Sequence, residues 1–369
     1  MRETDAIAEA RREMEICNAC RYCEGFCAVF PAMELHREFA AGDLGYLANL
    51  CHNCRGCYYA CQYAPPHEWG INLPRTFAEV RAESYEHYAW PPRFAQAFQR
   101  NGLVVALATA LGFALVLGLG LLFTAPGALS TARPVLPGAF YAVIPLWIMQ
   151  VVALATAGFT LYALARGFRN YWAEAGIPGV GPRAIARALH DIFTLRNLGG
   201  AGHGCNDGSE RFSMTRRYLH HAMFYGFLLC FVATTAGFID HSFLGLAAPY
   251  PFFSLPVLAG TLGGIGLLIG TVGLFAMKLI DDPMPAARRM LAPDIALLVL
   301  LALIAGTGLE LLLLRATNMM GLLLCVHLGF VLALFVILPY SKMVHGLYRA
   351  GALLRAAIER DLPRAAGGE

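Results

Sequence analysis

The chain has 369 residues, 57% hydrophobic and only 14% charged, against about 25% charged in an ordinary soluble domain, and its mean hydropathy is +0.54. That composition describes a membrane protein with a minority soluble part. A formal net charge of +3, with no basic patch interleaved with aromatic residues, argues against nucleic acid as a partner.

The first residues, MRETDAIAEARREMEI, are charged and helical in pattern. They have neither the apolar run of a signal peptide nor the acid-poor character of a transit peptide. Eight of the eleven cysteines follow in two runs, CNACRYCEGFC at 17–27 and CHNCRGCYYAC at 51–61. Each reads C-x2-C-x2-C-x3-C. This spacing lets three near thiolates cap one [4Fe–4S] cluster while the fourth ligates the other. The rule assigns Cys17, Cys20, Cys23 and Cys61 to one cluster, and Cys51, Cys54, Cys57 and Cys27 to the second. Disulfides are the bland alternative, but cysteines three apart bridge poorly. Zinc is another, but it takes four ligands in two spaced pairs. Many bacterial ferredoxins place Pro directly after the fourth cysteine; here Ala28 and Gln62 stand there, which bears only on the local turn.

Between the runs, Pro31 to Leu50 reads as a helix with Met33, Leu35, Phe39, Leu44 and Leu47 as its apolar positions. No alternating strand pattern occurs. The expectation is an all-α chain: a small α-helical ferredoxin-like domain over 1–95, ended near YAWPPRF (88–94), then a six-helix transmembrane domain over 96–369. Its six apolar spans are about 102–123, 140–164, 219–239, 255–277, 295–314 and 319–340, each long enough for a bilayer core of roughly 30 Å. Only the fifth contains a charged residue, Glu310. Of 28 Lys and Arg, 26 fall on the side of the termini, leaving Arg133 and Arg315 opposite. The positive-inside rule then places both termini and the cysteine domain in the cytoplasm, a reducing compartment that suits free thiolates.

Histidines are absent from the first, second, fourth and fifth spans. His220 and His221 open the third and His241 stands just past its far end; His327 lies in the sixth and His345 just past its near end. His327 and His345 are five turns apart, on one face and ~27 Å apart. His220 and His241 differ by ~60° on the wheel, His221 and His241 by ~200°. Since the third and sixth spans run in opposite directions, His220 or His221 should meet His345 at the inner level, and His241 should meet His327 at the outer. Two imidazole pairs would suit one or two b-type haems. The bland reading is histidines that cap helix ends. Arg216, Arg217, Lys342 and Arg349 cluster near the inner level as candidate partners for haem propionates, although positive-inside bias alone would also place them there. Gly260, Gly264, Gly266 and Gly270 give a small-residue face, by default a helix-packing surface and otherwise room for a macrocycle. Glu310 beside Arg315 reads as a snorkelling pair rather than a proton relay. His203 and Cys205 in GHGCNDGSERFS (202–213) fall short of a metal site, and that loop reads as a docking segment.

TRRYLHHAMFYGFLLCF (215–231), PYPFFSLPVLAGTLGGIGLLIG (249–270) and LPYSKMVHGLYR (338–349), behind the doubled cysteine motif, resemble the tricarballylate utilization protein B family, also called citrate utilization protein B. The resemblance spans nearly the whole chain. It implies a protein of the bacterial inner membrane that takes electrons from the reduced flavin of an FAD-dependent partner, a tricarballylate dehydrogenase, and passes them through two [4Fe–4S] clusters and haem b to the membrane quinone pool. The eight motif cysteines match the family's one for one. On this reading the chain is an electron-transfer component rather than a stand-alone enzyme. It has no Gly-rich nucleotide fingerprint, Walker motif or Ser/His/Asp set. A second reading is the haem subunit of a heterodisulfide-reductase-like module, with electrons running inward from quinol. A third reading, a transporter with the cluster domain as a sensor, is disfavoured because the sequence shows neither inverted repeats nor broken helices with charged midplane residues.

Overall fold

In a computed structural model, the regular structure of the described residues is helical. The structure describes residues 1–361 except 99, 126, 128, 133, 177, 178 and 201; Arg133 and Arg364, which enter the charge count, lie outside the described residues. Among the described residues there is no strand, only an antiparallel bridge between Cys205 and Ser213.

Helix α1, Asp5–Cys20, starts at Thr4, whose Oγ1 accepts from the Ile7 N–H at 3.2 Å, with Asp5 in the first turn. Ile7, Ala10 and Met14 form its buried stripe, and Cys17 continues it. The chain goes on through α2, Val29–Met33, α3, Ala41–Leu50, α4, Gly56–Tyr59, and α5, Leu73–Tyr88. The single helix expected over Pro31–Leu50 is therefore two. A continuous helix would put Leu35 and Phe39 on one face. Here the break turns Phe39 into the core at 3% exposure, its carbonyl accepting from Arg11 Nε at 2.9 Å, while Leu35 is 52% exposed.

Beyond this domain come α6, Asn101–Phe123, α7, Leu146–Glu174, α8, Pro182–Phe193, α9, Thr215–Leu244, α10, Leu255–Ile280, α11, Arg288–Leu314, α12, Met320–Ile337, and α13, His345–Asp361. All but α8 and α13 are long and apolar enough to cross a bilayer, matching the six expected spans. Helix α7 begins only after Pro145 and runs on through Arg166 and Arg169 to Glu174. Helix α9 continues past 239 and stops at Gly245, whose positive φ of 70° ends it, so His241 lies within the helix. Helix α13 follows the last span yet packs against the cysteine domain: Ala352, Leu353 and Ala356 share a core with Met14, Leu47 and Phe77.

Glycines choose the neighbours inside the bundle. A Cβ on Gly263 of α10 would lie 2.8 Å from the Gly226 carbonyl oxygen of α9, and Gly264 faces Leu309 of α11, so the small-residue face is filled by helix packing. A Cβ on Gly112 of α6 would lie 2.7 Å from the Gly329 oxygen of α12. Gly263→Val should therefore overpack the α9–α10 contact at a cost of about 1–3 kcal/mol. The thermal midpoint of the detergent-solubilised protein should drop by several degrees. Gly158→Val, where a Cβ meets nothing within 4 Å, is the comparison, and it should leave the midpoint in place. Equal midpoints would show that the helices do not pack through this contact.

Candidate iron–sulfur and histidine centre

The cysteines sort into two groups in space as well as in sequence. All eight are free thiols. Cys17 lies within electrostatic reach of Cys20, Cys23 and Cys61, and Cys57 within reach of Cys27, Cys51 and Cys54. Each run thus gives its first three thiols to one group and its fourth to the other. The groups adjoin where Cys23 approaches Cys57. Local backbone makes the convergence. Arg21 follows Cys20 in the left-handed region (φ 54°), and Asn53 and Arg55 flank Cys54 there (φ 55° and 63°). Backbone N–H groups then point at sulfur: Val29 and Phe30 at Cys27, Gly56 at Cys54, Tyr63 and Ala64 at Cys61. Such bonds favour the thiolate, the form that binds iron.

Burial first, then neighbouring thiols, pushes Cys23 up to about 12 and Cys57 well above the ordinary thiol range. Cys17, Cys20, Cys23, Cys57 and Cys61 line one cleft. Among the described residues no three His, Cys, Asp or Glu side chains converge tightly enough for a single metal ion.

The two groups sit at different depths. Cys20 is exposed, whereas Cys51 and Cys54 are buried. Loops of the membrane domain cover the second run. The Asn206 N–H donates to the Cys54 carbonyl at 2.9 Å, Arg216 Nη1 to the Asn53 carbonyl at 2.6 Å, and Arg55 Nη2 pairs with Asp281 at 3.3 Å. Cys205 is fully buried beside Cys54, its Sγ donating to the Leu198 carbonyl at 3.2 Å. His203 packs against Phe212 instead, the ring planes tilted by 51°, so that loop acts as a cover.

Of the five histidines, the structure brings together His220 and His345, with ring centres 6.3 Å apart and planes at 50°. Two imidazoles bound to opposite faces of one metal at about 2 Å per bond place their ring centres about 6 Å apart, so the spacing fits a shared iron. His345 Nδ1 is hydrogen-bonded to the Lys342 carbonyl at 2.6 Å, which orients the ring and leaves Nε2 for a metal. Burial, then the charges of Arg349 and Lys342, drives His345 well below the usual histidine range, keeping it neutral. His220 Nδ1 is buried with no hydrogen-bond partner. His221 faces away, its Nε2 on the Thr194 carbonyl at 3.1 Å.

The outer pair does not form. His241 Nδ1 meets Tyr141 Oη at 3.0 Å, and His327 Nδ1 meets Thr307 Oγ1 at 3.1 Å. The five turns expected between His327 and His345 do not run along one helix, because α12 ends at Ile337, two 3-10 turns follow and α13 starts at His345; and α9 packs on α10 and α12 on α6, so His241 and His327 are held apart. The four cations are likewise dispersed. Arg216 and Arg349 stand near the His220–His345 pair. Lys342 pairs with Asp294, and Arg217 donates to the Thr194 carbonyl at 2.9 Å, on the side of His221.

Two buried residues escaped the sequence reading. His52 sits inside the second run, its Nδ1 on the Leu50 carbonyl at 2.7 Å, within electrostatic reach of His220. It therefore lies between the second thiol group and the histidine pair; a histidine beside a cluster cysteine was the available signal. Glu13, fully buried one turn before Cys17, accepts from the Asn72 N–H at 2.7 Å through Oε1, while Oε2 has no partner.

A ferredoxin-like cysteine domain seated on six membrane-length helices defines a membrane iron–sulfur electron-transfer protein. The chain belongs to the citrate utilization protein B family: the model described as Citrate utilization protein B matches residues 96–366, and that of the Citrate utilization protein B Fer4-like domain matches 10–87. It is 47% identical over 369 residues to Citrate utilization protein B of Escherichia coli, covering 99% of this chain and 95% of that one. No solved structure matches it.

Burial pushes Glu13 from 4.5 up to about 7, overcoming the Asn72 hydrogen bond. In the unfolded chain it ionises near 4.5, so rising pH favours unfolding between 4.5 and 7, by roughly 3 kcal/mol in total. Glu13→Gln removes this dependence. Its thermal midpoint should fall less than the parent's between about pH 5 and about pH 8. Parallel curves would show that Glu13 does not hold a proton in the fold.

Proposed function

We propose that this chain is an electron conduit: it accepts electrons from the reduced flavin of a partner dehydrogenase on the cytoplasmic side of the bacterial inner membrane and delivers them to membrane quinone. The observation that carries the reading is a continuous line of sulfur and imidazole. It runs from exposed Cys20, across the Cys23–Cys57 junction, past His52, to His220 and His345 at the start of the bilayer. Cys17, Cys20, Cys23 and Cys61 would hold one [4Fe–4S] cluster; Cys51, Cys54, Cys57 and Cys27 the second; His220 and His345 one haem b. When bound, these groups carry single electrons, matching a flavin and a quinone that each handle pairs. The partner's substrate is a tricarboxylate such as tricarballylate, as the family resemblance implies.

The chain's charges give this line a direction. Four arginines surround the second thiol group. Arg55 and Arg216 are balanced by Asp281 and Asp207, but Arg81 and Arg349 donate to the Cys51 carbonyl at 3.1 and 2.9 Å instead. Near the first group stands Glu13, whose buried carboxyl keeps its proton up to about pH 7, so no positive charge is added there. Positive surroundings favour the added electron and raise a cluster's potential, so the inner site is the better acceptor.

Cys54→Ser should remove one of two cluster signals in electron paramagnetic resonance while the membrane helices still insert; two intact signals would refute the ligand assignment. His345→Ala should abolish the haem absorbance band and His221→Ala should keep it; equal bands would refute the pairing. Arg349→Gln should lower the potential of one cluster by ~60 mV, about tenfold in its one-electron equilibrium, in a redox titration. Unmoved potentials would remove the directional assignment.

A further inference from the structure

We infer that α8 is an in-plane membrane helix: its exposed apolar face lies in the bilayer leaflet on the side of the cysteine domain. The inference rests on the membrane-length helices and not on the electron-transfer reading. The segment PRAIARALHDIF, 182–193, is too short and too polar to span. At ~100° per residue it divides into three faces. Ala184, Ala188 and Asp191 make the first, which is buried. Arg183, Arg187 and His190 make the second, which is exposed. Ile185, Leu189 and Phe193 make the third, which is apolar and equally exposed. A helix standing in water would bury that third face or make it polar. A helix lying at the boundary of headgroups and acyl chains has this pattern, with arginine on one face and Leu or Phe on the other.

Its neighbours fix where each face points. Ala184 and Ala188 pack on Ala357 and Ile358 of α13, the helix that enters the core of the cysteine domain. Arg187 pairs with Asp361, and Asp191 with Arg360 at 3.6 Å, which holds the roll of α8 about its axis. The apolar face turns to the bundle. Phe193 meets Phe224 of α9 with ring centres 6.2 Å apart, and Tyr225 Oη donates to the Phe193 carbonyl at 2.7 Å. Phe224 stands ~14 Å along the axis from Thr215, where α9 begins. The 30 residues of α9 measure ~45 Å, about 15 Å more than a bilayer core of about 30 Å. Even with all of that surplus on the cysteine-domain side, Phe224 reaches the edge of the core, and Phe193 with it. Ile185 and Leu189 continue the same strip, ~12 Å long. The strip adjoins exposed Tyr225 and Leu229, part of a surface that a membrane-length helix presents to lipid. The other end of α8 follows α7, also of membrane length, by residues 175–181 alone. Just past α8, Leu195 and Leu198 pack with Cys54 and Cys205, so the depth of α8 sets the height of the second thiol group above the bilayer.

The full-length protein can be reconstituted in liposomes whose phosphatidylcholine carries a diazirine on its acyl chain, illuminated, and its adducts mapped by mass spectrometry. The expected adducts fall on Ile185, Leu189 and Phe193 as well as on Leu229 of α9, and not on Arg183 or His190. Ile185→Asp combined with Leu189→Asp should cut labelling of residues 182–193 about tenfold, since carboxylates resist entry into the acyl region, and should leave Leu229 labelled. Iron content and a single elution peak report that the variant has folded; where it has not, the adducts of the parent decide alone. Labelling of Leu229 with none on 182–193 overturns the inference, because water or protein then covers the strip. A cross-link joining α8 of two copies, in place of lipid adducts, gives the strip to a second copy and overturns it too. Undiminished labelling of the folded double variant overturns the role of the apolar face.

Discussion

Two guanidinium groups, Arg81 from α5 and Arg349 from α13, donate to one carbonyl oxygen, that of Cys51. Arg81 also takes the Ala48 carbonyl at 2.9 Å, so the negative end of α3 is met by two cations. Residues 298 apart in sequence are joined by the Arg349 bond, at the backbone of the first cysteine of the second run. Desolvating two arginines here is costly unless negative charge repays it. Four thiolates supply that charge only when they hold iron. These two cations therefore make sense as part of a loaded centre, and the fold of the cysteine domain, its attachment to α13 and the electrostatics of the second group meet at this one oxygen.

From that point outward, exposure rises in one direction only. Cys51 and Cys54 lie at 9% exposure, Cys54 packed against Leu198 and Cys205, and Cys205 is sealed at 0%, whereas Cys20 is open and an aromatic trio, Tyr63, His67 and Trp69, stands beside the cleft of the first group. A carrier in contact with water exchanges electrons with any small oxidant; a covered one exchanges only with its neighbours. On the proposed reading the first group is the port for a protein donor. The second is the insulated segment, closed by Arg55, Asn206 and Arg216, which come from the two sides of the chain.

What the sequence revealed was local or periodic. Ligand spacing of three residues is a statement about one turn of chain, and the cysteine grouping follows from it. Six apolar spans follow from length and composition, and each reappears as a helix. The meeting of His220 with His345 needed only opposite helix directions. The failure of His241 to meet His327 shows the limit: periodicity fixes which face a residue occupies, not which helix lies opposite. That choice belongs to Gly226 against Gly263 and Gly112 against Gly329, contacts that draw α9 to α10 and α12 to α6. The helix expected over Pro31–Leu50 broke because burying Phe39 required turning Leu35 out. The entry of α13 into the N-terminal core was illegible for a related reason, since Ala352 and Ala356 carry no pattern that names Leu47 and Phe77 as partners.

The single histidine pair has a consequence for energy conversion on the proposed reading. With His241 tied to Tyr141 and His327 to Thr307, the line of carriers stops at the level of His220 and His345. Electrons that enter at the cysteine domain leave on the same side of the membrane, and the quinone takes its two protons from that side as well. No charge crosses the bilayer in such a cycle. The membrane domain then serves to place a quinone beside an insulated cluster, and four of its six spans carry no histidine because they have no electron to relay. Their work is to hold α9, α11 and the turn at Lys342 in register with Cys51, which returns the burden of the design to the oxygen where Arg81 and Arg349 converge.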